Sequence, residues 1–485
     1  MTALEASGPN PLLDYFRIPY EVVDGGPAEG SAAERLPPHG CGWVRSRASG
    51  RAARYLLWPS GNLDGLEAPA RLDLDSIFVH ASVLPDRASE ALLTDSGSWT
   101  RGASFVRRDG NRAASLWRES GGSILLPFDP SEAVLACWSE GYRTAGTAAA
   151  VGQSVRSALP LYYRLRPLVP RGVQIGLRRA VSRLQSRSPF PRWPIETSLH
   201  DLYDLVLDLL HEVVQGPVPF LAPWPEGREW ALVLTHDVET AAGCERIPAL
   251  RRVEEELGLR SSWNFVPLRY DTPASLVEEL QESGHEVGVH GLYHDGRDFE
   301  SRGRLEERLP AMRDYARRWN AVGFRSPATH RAWELMPLLG FDYDSSYPDT
   351  DPYEPQAGGC CSWLPYFNRE LVELPITLPQ DYTLFVILRH RSEELWREKT
   401  EFLRSRGGMA VSLTHPDYLF EEPLLGGYER FLRSFVDDST AWHALPREVS
   451  SWWRRRAASK AVLDRGEWAV EGAAAGEAKV LLLGD

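Results

Sequence analysis

Five stretches of this chain end an apolar run in a burst of polar side chains: ALVLTHDVET at Ala231–Thr240, EVGVHGLYHD at Glu286–Asp295, FRSPATH at Phe324–His330, DYDSS at Asp342–Ser346 and VSLTHPD at Val411–Asp417. They carry Asp237, Glu239, His290, His294, Arg325 and His415, side chains that can bind a cation, hold a charge or move a proton. The histidines of HGLYH are spaced i, i+4, which puts two imidazoles on one side of a helical turn or loop, within reach of one cation. Asp237 and Glu239 are two apart, so on an extended segment both point to the same side. Two neutral imidazoles and one carboxylate make a three-ligand site with open positions, the arrangement of catalytic rather than structural zinc. One acid would ligate the metal while the other stays free as a base toward metal-bound water, and the spacing leaves open which does which.

Arg325 stands at another strand end, where a guanidinium can fix an unliganded carboxylate bidentately and hold it ionised. His415 precedes Pro416, where regular structure must stop, and an imidazole there is suited to protonating a leaving group because its intrinsic pKa sits near neutrality. Taken singly, each has a plainer reading: solvated acids, a surface arginine, a structural histidine. Five junctions of one kind within one segment favour a composite site.

The elements that must position these residues alternate. Ala231–Leu234, Ser262–Val266, Val287–His290, Val322–Arg325, Leu371–Leu374 and Met409–Thr414 read as strands. Between them lie a helix ending in EEEL before Gly258, one started by Thr272-Pro273 as N-cap and N1 and ended by Gly284, and helices over Glu300–Trp319, Trp333–Leu339 and Ser392–Arg406. Repeated βα units of this length imply a parallel sheet or barrel with its active residues on the loops after the strands. Residues 1–150 differ: short apolar runs (Arg54–Trp58, Ser76–Ala81, Ser123–Phe128) separated by Gly, Pro and Asp predict short strands and turns, with His39, His80 and Cys41 isolated and no catalytic constellation. Residues 151–229 read as a connector. It contains a helix over Thr197–Val214, capped by Ser198 with Asp201 and expected to pack on the catalytic body with His211 on its polar side. The tail, 450–485, begins basic (SSWWRRR) and predicts a helix and a strand or two.

Length and composition bound the rest. The chain has 485 residues, 43% hydrophobic and 25% charged, enough for two or three globular domains. A formal net charge of −13 argues against a nucleic-acid or anionic-membrane partner. The one basic run, with Arg164, Arg166, Arg171, Arg178, Arg179, Arg183 and Arg187, reads as a solvated helix face or linker. Five unevenly spaced cysteines (Cys41, Cys137, Cys244, Cys360, Cys361) make neither a disulfide framework nor a zinc knuckle. The N-terminus, MTALEASGPNPLLDYF, lacks a basic n-region and an apolar h-region, and no apolar stretch approaches about 18 residues. The expectation is a cytoplasmic protein without a membrane span; the oligomeric state is not encoded in any such feature.

In this order and at these separations, THDVE, HGLYH, FRSP, DSS and LTH resemble the five motifs of the polysaccharide deacetylase (NodB-homology) superfamily, metal-dependent carbohydrate esterases. The resemblance covers roughly Trp230 to Phe420. It implies an α/β fold with a distorted (β/α)7-type barrel over 230–449, an N-terminal β-rich module over 1–150, a helical connector over 151–229 and a short C-terminal extension over 450–485. Position by position it implies Asp237 as catalytic base, Glu239, His290 and His294 as ligands of a divalent metal, zinc foremost, Arg325 as the brace of the base and His415 as the acid. The implied reaction is hydrolysis of an N-acetyl group on an amino sugar or glycoconjugate precursor. The chain departs from the family pattern where Val238 and Glu239 replace an adjacent Asp, at Gly291, at Ala328, and in a fourth motif without Asp-Trp, which leaves Asp344, Asp349 and Asp351 as candidates for supporting His415. Alternative readings are a related amidase or imidase on the same fold, or a catalytically silent carbohydrate-binding protein. A serine esterase is disfavoured by the lack of GxSxG.

Overall fold

The computed structural model describes residues 3–23, 40–47, 53–61, 63–94, 98–107, 109–144, 171–186, 188–420 and 422–484. Of the residues singled out in the sequence, His39, Arg164, Arg166 and Arg187 lie outside the described residues. The chain divides into two compact units: Met1–Ala145 with Thr197–Ala222 and Arg455–Asp485, and Gly146–Glu196 with Pro223–Arg454.

The second unit carries all five polar junctions. Its sheet has seven parallel strands, β1 (Trp230–Val238), β2 (Ser261–Phe265), β3 (Glu286–His290), β4 (Gly323–Arg325), β5 (Tyr343–Asp344), β6 (Leu371–Glu373) and β7 (Met409–Thr414), ordered β7-β1-β2-β3-β4-β5-β6. An antiparallel strand, Tyr366–Asn368, continues past β6, and Ala441–His443 pairs with the start of β1. β6 and β7 do not pair as strands. The chain leaving β6 spans the gap instead: Leu378 N–H donates to Val411 O at 3.1 Å, Thr377 Oγ donates to Met409 O at 2.7 Å, and Val411 N–H donates to Thr377 Oγ at 2.8 Å. The result is the irregular seven-stranded α/β barrel that the motif order implies.

β1 is central because it can afford no exposed face. All nine of its residues are buried, and the apolar, β-branched run suits a strand paired on both sides. Its side chains alternate. Thr235 and Asp237 face the barrel interior, while His236 faces the surrounding helices. There it stacks on Trp263 with ring centroids 4.0 Å apart, and its Nε2–H donates to Glu254 Oε1 at 2.7 Å. Glu254, on the helix Ala241–Glu256, also accepts from Tyr428 Oη at 2.6 Å and Ser261 Oγ at 2.6 Å. This polar clamp fastens the strand that carries Asp237 to the helical layer.

The helices mostly lie where the sequence puts them, at Ala241–Glu256, Ala274–Glu282, Arg302–Arg318 and Glu394–Ser405. Thr240 and Ser301 cap two of them, accepting from Gly243 N–H at 3.1 Å and Arg304 N–H at 3.2 Å. Three local expectations change. Pro273, not Thr272, occupies the capping position of the helix before Gly284, with no side-chain cap bond. Within Trp333–Leu339 only Met336–Leu339 is helical, a 3₁₀ turn. The helix Ser198–Val214 is capped at Thr197, whose Oγ donates to Asp201 Oδ2 at 2.7 Å, and His211 is half-buried.

That last helix also has a different neighbour from the one expected. It belongs to the first unit and packs on strands Ile77–Val83 and Arg54–Pro59, burying Leu202, Tyr203, Val206, Leu209 and Val213. Amphipathic periodicity gives the buried face of a helix but not its partner. The sheet it covers has nine short, mostly antiparallel strands in the order Glu21–Val22, Ala3–Ala6, Cys41–Arg47, Arg54–Pro59, Ile124–Leu125, Arg112–Glu119, Trp99–Val106, Glu67–Leu74, Ile77–Val83. The tail forms a helix, Pro446–Ala457, the hairpin Ser459–Asp464/Glu467–Gly472, and Val480–Leu482 pairing with Pro219–Leu221. No helix among the described residues is long and apolar enough to cross a membrane.

Replacing Glu254 by Ala should cost about 3–5 kcal/mol, because three buried donors lose their acceptor at once. Denaturant unfolding of Glu254→Ala beside the parent checks this. A loss below about 1 kcal/mol would mean the clamp contributes little.

Candidate metal and catalytic site

The C-terminal ends of β1, β3, β4 and β7 bring the candidate residues together. Glu239, His290 and His294 each offer a ligand atom, and these atoms lie within 4.8 Å of one another. His290 is the last residue of β3. Its Nδ1–H donates to Arg325 O at 3.1 Å, which leaves Nε2 as the lone-pair nitrogen aimed into the site. His294 lies on the following loop in a left-handed conformation (φ 56°) and meets Glu239 Oε1 at 2.9 Å. His290 Nε2 is buried without a hydrogen-bond partner, and His294 Nε2 meets only the Glu239 carboxylate. Burial pushes the His290 imidazolium down to about 4, against the opposing pull of Asp237, so the ring is neutral at ordinary pH. Two imidazole nitrogens converging on a half-buried carboxylate, one of them without a hydrogen-bond partner, fit a divalent cation of the zinc type with coordination positions left open.

The loop that carries His294 is anchored just beyond it. Arg308 donates through Nη1 and Nη2 to Asp295 at 2.8 and 2.6 Å, and through Nη1 to Asp298 at 2.6 Å. Gly291, where the family pattern has Ser or Thr, sits at φ +63°, and a Cβ there would come within 2.6 Å of Asp298 Oδ2 and of Pro327. The departure is therefore a packing requirement of this loop.

Asp237 is flanked differently. Its Oδ1 accepts from Asn264 Nδ2 at 2.9 Å and lies 3.7 Å from Arg325 Nη1, and its Oδ2 lies 3.6 Å from His290 Nε2. Burial pushes its pKa up, but His290, Arg325 and His415 together outweigh that and hold the carboxyl below its ordinary range. The expected bidentate Arg325 clamp does not form, because Nη2 is used on Thr235 Oγ and Ser345 Oγ, both at 3.0 Å. Asn264 does the close holding. Gly288 makes room for it, since a Cβ there would sit 2.0 Å from Asn264 Oδ1.

His415 follows β7 with its Nε2 3.9 Å from Glu239 Oε1. Its supporting acid is none of the three aspartates proposed from the fourth motif. Asp381 Oδ1 accepts from His415 Nδ1–H at 2.6 Å, and Oδ2 accepts from the His415 backbone N–H at 2.8 Å. Burial works against the charged ring, but Asp381 more than offsets it and raises the imidazolium to about 10. Asp349 instead pairs with buried Lys399 at 2.7 Å, Asp351 accepts from Tyr353 N–H at 2.7 Å, and Asp344 bonds Ser346.

Asn264 and Asp381 are the residues that sequence reasoning missed. Asn264 had a signal, a single amide in the buried strand SSWNF. Asp381 had none: it follows Pro379-Gln380 in an irregular stretch before the turn Tyr382–Ile387. Asp417 was read as part of a strand-end motif. It accepts from Glu239 N–H at 3.1 Å and from Thr240 Oγ, pinning the turn that presents Glu239. Of the basic run, Arg178 and Arg179 are spent on the carbonyls of Tyr353 and Val386.

No protein-family profile and no curated protein sequence matches the chain. Among solved structures it is similar to a putative polysaccharide deacetylase from Mycobacterium smegmatis, at 19% identity over 51% of this chain and 98% of that one, with a TM-score of 0.41. It is similar to a probable polysaccharide deacetylase from Pseudomonas aeruginosa PAO1, at 16% identity over 47% and 92% of the two chains, TM-score 0.39. It is also similar to Puue allantoinase, at 15% identity over 48% and 92%, TM-score 0.38. Polysaccharide deacetylases, whose motifs the sequence resembles, are thus among the folds it is similar to.

Proposed function

We propose that the second unit is a metal-dependent hydrolase that removes an N-acetyl group from an amino sugar or a glycoconjugate precursor. The observation that carries this reading is the pairing of one three-ligand cluster (Glu239, His290, His294) with a proton acceptor on one side (Asp237) and a proton donor on the other (the His415–Asp381 pair). Glu239, His290 and His294 would hold a divalent cation, zinc foremost, which when bound supplies Lewis-acid polarisation of an acetyl carbonyl and acidifies water.

The remaining work falls to the chain. Asp237, ionised and oriented by Asn264, takes a proton from the attacking water. His415, held as an imidazolium by Asp381, gives a proton from Nε2 to the departing amine, without which a poor leaving group would stall. Burial keeps bulk water from competing for either proton. The His415–Asp381 pair beside the ligand cluster favours a hydrolase over a silent binding protein. The N-terminal sheet is proposed as an accessory module, and the cytoplasm as the place of action on a precursor.

Acetate release from N-acetylated mono- and oligosaccharides tests the reaction. The parent protein should release acetate, and Asp237→Asn should lower kcat about 100-fold or more while leaving the fold intact. Full activity in Asp237→Asn would remove it as the base.

The pH profile tests His415. An acid must be protonated to act, so the alkaline limb of kcat/KM follows the His415 pKa. Removing the Asp381 charge in Asp381→Asn lowers that pKa, so the limb should move to lower pH as the rate falls. An unmoved limb would show that His415 is not the group titrating there.

A further inference from the structure

Asp344 and Glu373 end the neighbouring parallel strands β5 and β6 and stand opposite one another in the register. They are 0% and 1% exposed. Both accept from one amide: Ser346 N–H lies 3.1 Å from Asp344 Oδ2 and 3.1 Å from Glu373 Oε1. Asp344 Oδ1 also accepts from Ser346 Oγ at 2.7 Å, and Glu373 Oε1 from Tyr347 N–H at 3.0 Å. The shared amide and the strand register place the two carboxyl groups side by side with no cation bonded to either among the described residues, so the pair favours carrying a proton. Two adjacent carboxylates in a barrel interior cannot both ionise.

The acceptor pattern says where the proton sits. Both oxygens of Asp344 are engaged as acceptors from Ser346, whereas Glu373 accepts its two amides through Oε1 alone, leaving Oε2 to carry hydrogen toward Asp344. Burial and the Asp344 charge push the Glu373 carboxyl well above its ordinary range. The other titratable or charged groups facing the pair are Arg325, Tyr366 and Cys360.

We propose that Glu373 and Asp344 share a single proton, carried by Glu373, and that this locked pair is a positioning device for the catalytic centre. It holds Ser346 directly and, through the backbone, its neighbour Ser345, and each serine bonds a part of the site. Ser345 Oγ accepts from Arg325 Nη2 at 3.0 Å and donates to Leu374 O at 2.7 Å. Ser346 Oγ accepts from Ser326 N–H at 2.8 Å and so sets the turn Pro327–Thr329, in which Ala328 is left-handed (φ 51°). Arg325 is the cation beside Asp237, so the pair acts on the base through Ser345 and the arginine. The positioning role rests on the proposed hydrolase; the shared proton does not.

The test combines infrared spectroscopy with kinetics on the full chain. At neutral pH the difference spectrum between the parent and Glu373→Gln should contain the C=O stretch of a protonated carboxyl, a readout that needs no substrate. Glu373→Gln, whose amide can donate to Asp344 while its oxygen still accepts, should lower kcat far less than Asp344→Asn does. Asp344→Asn places an NH₂ against a Ser346 donor and should lower kcat on the order of 10- to 100-fold with KM unchanged. If Asp344→Asn does not fold, Ser346→Ala, which removes the acceptor for Ser326 N–H, should produce the same split. Absence of the C=O band overturns the shared proton. Loss of kcat in Glu373→Gln equal to that in Asp344→Asn overturns the assignment of the proton to Glu373. Unchanged kcat in Asp344→Asn or Ser346→Ala overturns the positioning role. A parent without acetate-releasing activity but with the band would sink the hydrolase reading alone.

Discussion

Two carboxylates, buried Asp237 and half-buried Glu239, stand two residues apart at the end of one strand, and nearly every polar group around them answers that constraint. Buried charges of one sign repel and lose hydration, so each must be given opposite charge, donors, or both. Asp237 receives an amide from Asn264 and the charge of Arg325. Glu239 receives His294 and, more distantly, His415. Holding both acids ionised against burial creates a strongly anionic corner, and a divalent cation placed among Glu239, His290 and His294 would complete it.

The scaffold supplies this arrangement by alternation and by room. β1 turns Thr235 and Asp237 inward and His236 outward, so one strand carries both a candidate site residue and the clamp that secures it to the helices. Gly288 leaves room for the Asn264 amide, which stands beside Asp237 on the next strand, and Gly291 lets the histidine loop pass Asp298 and Pro327. Closure between β6 and β7 depends on Thr377 rather than on strand pairing, and the chain that makes this closure runs on directly to Asp381. The irregular seam is thus what brings an acid from beyond β6 to the histidine at the end of β7.

Much of this was legible in the sequence. The parallel strands announced themselves as apolar runs, and the polar residues at their ends converge in the structure, because a buried strand end is where side chains of several segments meet. Other parts were not legible, for reasons that differ. Asp381 lies in an irregular stretch whose path is set by the seam, so no local spacing pointed to it. The partner of the helix Ser198–Val214 was misjudged because the chain visits the first unit again after residue 196, and amphipathicity does not say which sheet receives the apolar face. The bidentate role given to Arg325 failed because Thr235 and Ser345 compete for the same guanidinium. Local pattern locates charged groups; the partners of each are settled only in three dimensions.

The central claim is that Glu239, His290 and His294 form a metal site serving hydrolysis. Its most direct measurement is the elemental metal content of protein purified without chelators, beside the double variant His290→Ala/His294→Ala. The account predicts one tightly held divalent ion per chain in the parent and none in a folded double variant. A parent that holds no metal and takes up none at micromolar supply, or a variant that retains it, would contradict the account.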